Sequence, residues 1–76
     1  MRKERARLRV IRAAKEPKMS QGQAARRAGM GLYRYWQIEH GDGRETTTEE
    51  REAVAAALGV KVADVAWPEF TKAKAS

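Results

Sequence analysis

Three glycines constrain this chain more than any other feature: Gly29, Gly31 and Gly41 divide the stretch that begins at Ser20 into two pieces of helix length. Ser20 is an N-cap residue, because its hydroxyl can accept from the free backbone N–H groups that open a helix. Gln21 to Ala28 follow with no proline and no β-branched run. A glycine just past the last turn takes the left-handed conformation that satisfies orphan carbonyls, so Gly29 stops this helix. Gly31 caps a second helix from Leu32 to His40, and Gly41 ends it. Ala24, Ala25, Ala28, Met30, Tyr35 and Ile38 supply the small and apolar positions that two crossing helices need on their facing sides. Leu32, Tyr33, Arg34, Trp36 and Gln37 cannot all face a core, so the second helix presents a contact surface.

A chain of 76 residues without cysteine is one small domain held by a compact helical core or by a partner. The absence of Cys excludes disulfides and thiolate metal sites and suits a reducing cytoplasm. His40 has no second imidazole beside it, so no metal site and no cofactor are expected. No apolar run approaches the ~20 residues of a membrane span, and the N-terminus is too charged for a signal-peptide core, so no membrane partner is expected.

Charge is unevenly placed. Residues 1–44 carry twelve Lys or Arg against four acids, a surplus of +8, whereas residues 45–76 carry four against six, a deficit of −2. The basic half contains both glycine-bounded helices. That is the footprint of phosphate binding, because neutralising phosphates releases condensed counterions.

Along the chain, residues 1–7 (MRKERAR) read either as the leading turn of the first helix or as a basic arm. Leu8, Ile11 and Ala14 give the first helix a narrow apolar stripe, and it should end before Pro17. After Gly41, Asp42 and Gly43 form a turn, and Arg44 is placed to touch a nucleic-acid backbone. Thr46 with Glu49, or Thr47 with Glu50, makes a capping box that starts a fourth helix, packed through Val54, Ala57 and Leu58 and ended at Gly59. A short last helix over residues 62–67 is expected to bury Val62 and Val65 and to stop at Pro68. Residues 68–76 read as a flexible tail.

The pattern Gln21, Ala25, Gly29, Tyr35, Ile38 resembles the helix-turn-helix signature of the phage repressor and Cro family, also called the XRE family. LRVIR at Leu8 to Arg12 resembles the family's first helix, IEHG at Ile38 to Gly41 its "I-E-x-G" ending, and AAALGVKVADV at Ala55 to Val65 its "A-x-A-L-G-V-x-x-x-x-L" close. The resemblance covers residues 8–67. It implies an all-α, compact, five-helix lambda-repressor-like domain with the helix-turn-helix at helices 2 and 3, and a small transcriptional regulator, a repressor above all, that binds double-stranded operator DNA. Two copies on an inverted repeat would read half-sites ~34 Å apart.

By this resemblance the base-reading residues are Leu32, Tyr33 and Gln37, with Trp36 beside them. Gln37 can pair with adenine and Leu32 can pack on a thymine methyl, while Trp36 is equally suited to packing. The phosphate-binding set is Gln21, at the positive end of its helix, with Arg26, Arg34, Arg44 and Lys18. Arg12 and Glu39 match the family's structural ion pair. Ala28 replaces a larger aliphatic and Tyr35 an Ile or Val, so the Tyr35 ring can fill the volume Ala28 leaves, with its hydroxyl reaching solvent or a phosphate. Trp67 and Phe70 are candidate contacts for a homodimer or a protein partner. A second class of reading uses the same fold as a protein-interaction module, an antitoxin or a phage factor holding a host protein, with Trp36, Trp67 and Phe70 as anchors. No nucleophile–base pair, ligand cluster or phosphate loop stands out, so catalysis is not expected.

Overall fold

The computed structural model describes residues 4–70. Those residues form four helices, α1 (Leu8–Ala13), α2 (Gln21–Ala28), α3 (Leu32–His40) and α4 (Thr48–Ala57), followed by a 3₁₀ turn at Val62–Asp64. No strand occurs among them, so the chain is mostly helical.

Each helix end has a local cause. Ser20 accepts from the Gln23 amide at 3.1 Å while the Gln23 side chain accepts from the Ser20 amide at 2.9 Å, closing a capping box at the start of α2. Gly29 and Gly41 both lie at φ 73°, the left-handed conformation that ends α2 and α3. Of the two boxes the sequence offers for α4, Thr47 with Glu50 forms. Thr46 is occupied instead as acceptor for Arg51 Nε at 2.7 Å.

The core joins Leu8 of α1, Ala24 and Ala25 of α2, Tyr35 and Ile38 of α3, Val54 and Leu58 at α4, with Met19, Val65 and Phe70 from connecting chain. Ala28 from the end of α2 and Met30 from the α2–α3 turn pack against it. Burying side chains of this size contributes about 1.5–3 kcal/mol each for the larger aliphatics, which is how six- to ten-residue helices persist in a small chain.

The C-terminal end departs from expectation in two ways. The fifth helix over 62–67 is replaced by a three-residue turn, after which Val65 is extended (φ −105°, ψ 134°). The reason is a competing partner: Val65 pairs in parallel with Ala6, through Ala6 N to Asp64 O at 3.2 Å and Ala66 N to Ala6 O at 2.8 Å. A backbone that gives its hydrogen bonds to residue 6 cannot also give them to a helix. Residues 4–7 are accordingly neither a helical turn nor a detached arm; Met1 to Lys3 of that segment lie outside the described residues. Likewise the expected tail begins later than 68. Phe70 is only 4% exposed, and Pro68 and Glu69 cross so close over Gly41 that a Cβ there would sit 2.5 Å from the Glu69 carbonyl oxygen. The rest of the expected tail, 71–76, lies outside the described residues. No described helix is long and apolar enough to cross a membrane.

Candidate nucleic-acid interface

The outward face of α3 begins immediately after Gly31, whose extended backbone opens the helix without a side-chain cap. Leu32, Tyr33 and Trp36 are exposed there at 54%, 68% and 36%. With Gln21 from the first turn of α2 they line one open groove. The Tyr33 and Trp36 rings are nearly parallel, 7° apart in plane with centroids 6.2 Å apart, and Trp36 stacks on His40 at 4.3 Å. His40 Nδ1 lies 2.9 Å from the Trp36 carbonyl oxygen, which holds the imidazole against the indole.

A second groove adjoins the first through that stack. Arg7, Arg9 and Val10 line it from the start of α1, with Glu39 and His40 from α3 and Pro68. From the sequence, Arg7 stands only as part of a basic arm or leading helical turn, His40 only as a helix end without a metal partner, and Arg9 has no contact role. The signal was the charge of the N-terminal segment, but nothing local says that residue 7 meets residue 40.

The remaining residues read as readers or phosphate contacts divide into free and engaged. Lys18 and Arg26 are exposed. Arg34 is engaged: it holds the Glu50 carboxylate through Nε at 3.0 Å and Nη2 at 2.8 Å, and donates to the carbonyls of Arg44 and Glu45 at 3.1 and 3.3 Å. Five donors in a rigid fork suit this junction, and they pin the loop after Gly41 to α3 and α4. Arg44 shares the same carboxylate at 2.8 Å, yet its side chain stays 61% exposed. Gln37 accepts from Arg34 Nη1 at 3.3 Å, and its amide is packed on Gly43, where a Cβ would lie 2.5 Å from Nε2.

Gln21 donates through Nε2 to Glu39 Oε1 at 2.8 Å. Glu39 is also held by Arg12, Nε to Oε2 at 2.6 Å and Nη2 to Oε1 at 3.0 Å, while Arg12 Nη1 donates to the Met19 carbonyl at 3.0 Å. Burial pushes the Glu39 carboxyl up, but the Arg12 and Gln21 hydrogen bonds outweigh it and hold the group below the ordinary carboxylate range. The Arg12 guanidinium is raised, chiefly by its hydrogen bond to Glu39. Glu50 is depressed to about 2, first by Arg34 and, against the opposing effect of burial, by Arg44 and the Thr47 amide.

Two sequence readings are corrected by burial. Tyr35 is 0% exposed, so its hydroxyl reaches neither solvent nor a phosphate. It lies against the Arg12–Glu39 pair without a well-formed hydrogen bond, and burial followed by the charge of Glu39 raises the phenol above its usual value. Phe70 is inside the core rather than on a surface that a second chain can meet. Trp67 is half-buried and used internally: its indole Nε1 donates to the Val62 carbonyl at 3.1 Å, and the Arg51 guanidinium lies 5.3 Å over its ring.

No family model, no curated protein and no solved structure matches this chain. Among the described residues no group of His, Cys, Asp and Glu is arranged to hold a metal ion.

Proposed function

We propose that α2, the turn at Gly29 to Gly31, and α3 act as a helix-turn-helix of the lambda-repressor-like kind, and that the chain is a small DNA-binding transcriptional regulator with no catalytic role. The observation that carries this reading is the face of α3: a nine-residue helix whose leading side chains are exposed, set beside the N-terminus of α2, in the half of the chain that holds the +8 surplus. In this reading Leu32, Tyr33, Trp36 and Gln37 meet base edges, while Gln21, Lys18, Arg26 and Arg44 meet phosphates. Arg34 organises the loop that presents Arg44. A repressor acts by occupying its operator in the cytoplasm, and an inverted repeat would be read by two copies. With Phe70 buried, such a dimer is not anchored there.

The apolar character of the α3 groove favours one alternative, a protein-interaction module. Selection of bound duplexes from a random DNA pool at about 150 mM salt, where weak nonspecific attraction is already screened, separates the two. Enrichment of a defined sequence supports the regulator. Failure to enrich any sequence, with salt-insensitive capture of a single protein, supports the module.

A further inference from the structure

Three polar side chains of α3, Arg34, Gln37 and Glu39, are committed within the fold. Arg34 is spent on Glu50 and two loop carbonyls, Gln37 lies against Gly43 and Arg34, and Glu39 is held by Arg12 and Gln21. What the front of the helix offers is Leu32, Tyr33 and Trp36. The surface they present is mostly apolar, with the Tyr33 hydroxyl and the Trp36 indole N–H as its own polar atoms.

Beyond Trp36 the surface continues into a second groove that holds two arginines and Glu39, the latter paired with Arg12. Trp36 stacks on His40, and His40 shares the neighbouring groove with Arg7 and Arg9. An apolar surface flanked by positive side chains complements a polyanion carrying apolar groups between its charges. In the major groove of DNA the apolar feature of the base edges is the C5-methyl group of thymine, and 5-methylcytosine places the same group at the same position.

Resting on the DNA-binding reading above, we propose that sequence is discriminated chiefly through pyrimidine C5-methyl groups packed on Leu32, Tyr33 and Trp36, so that thymine and 5-methylcytosine are both recognised as methylated pyrimidines. Removing one packed methyl should weaken binding about fourfold, the effect of withdrawing a single carbon from apolar contact. Hydrogen bonding by Gln37 adds less than the methyl contacts do.

The test uses the full chain and the duplex enriched by selection. Each thymine is replaced in turn by uracil, which lacks only the methyl, and each cytosine by 5-methylcytosine; affinity is read by fluorescence anisotropy at constant salt. The expected result is an approximately fourfold loss at each contacted thymine, and a gain where a new methyl meets the groove. In Leu32→Ala and Trp36→Ala, with folding checked by circular dichroism, the thymine–uracil difference should shrink. Gln37→Ala, which removes a proposed base contact, should lower affinity overall without shrinking that difference. If the selected duplex binds equally well with uracil throughout, or if Gln37→Ala relaxes specificity more than Leu32→Ala and Trp36→Ala do, methyl reading is overturned while DNA binding stands. If no duplex is enriched, both fall.

Discussion

Arg12 grips Glu39 with two parallel hydrogen bonds of 2.6 and 3.0 Å, the side chains only 11% and 3% exposed, and so fastens α1 to the last turn of α3. Gln21 and the Met19 carbonyl complete the junction. Removing one member leaves a buried charge without its partner, so Arg12→Met or Glu39→Leu should each cost about 3 kcal/mol, and the double variant clearly less than the sum. Urea unfolding of the four proteins measures this; additive costs would mean the two residues are not a coupled unit.

Acid should loosen the fold at two carboxylates. Glu39 and Glu50 both have folded values below their unfolded ones, Glu50 about 2 against 4.5. For depressed carboxylates the contribution is complete above the unfolded value and is lost as pH falls toward the folded one. The melting temperature should therefore decline as pH drops from about 4.5 toward 2. Glu50→Gln, which abolishes one titration along with the charged anchor of Arg34, should lower stability near pH 7 by about 2 kcal/mol and flatten part of the acid decline.

Gly29 and Gly41 share a φ of 73° but not their surroundings. At Gly29 a Cβ meets nothing within 4 Å, whereas at Gly41 it meets the Glu69 carbonyl oxygen at 2.5 Å. Gly29→Ala should cost about 1 kcal/mol for the left-handed conformation alone. Gly41→Ala should cost more, because Pro68 to Phe70 must also lift from α3. Thermal melts of the two variants compare them directly, and equal losses would show that the 68–70 segment yields freely.

Gly22 sits in the first turn of α2 with ample room, its nearest neighbour for a Cβ being Ser20 Oγ at 3.9 Å. Packing does not require glycine there. Gly22→Ala should stabilise the chain by up to about 1 kcal/mol. If a phosphate approaches that backbone, the same variant binds selected DNA more weakly; unchanged affinity would remove the phosphate contact and leave only the gain in stability.

The burial of Phe70 predicts that Phe70→Ala destabilises the isolated chain by about 3 kcal/mol or more. Sedimentation of wild type and variant at matched concentrations separates this from a role in self-association, which would change the oligomeric state instead.

The extents of α2, α3 and α4 were legible in the residues because their causes are local. Ser20, Thr47 and the glycines act on backbone groups within a few positions, and helix periodicity sorts Ala24, Ala25, Tyr35 and Ile38 inward and Leu32, Tyr33 and Trp36 outward. The meeting of Arg12 with Glu39 was legible only through a family pattern, since 27 positions separate them. Tertiary structure alone decided three other matters. Ala6 took the backbone of residues 64–66 from a fifth helix, Phe70 entered the core over Gly41, and Arg34 turned from the solvent to Glu50. In each case the deciding partner is distant in the chain, and a long-range contact prevails over local preference when it satisfies backbone hydrogen bonds, removes a ring from water, or pairs a charge that would otherwise stand alone.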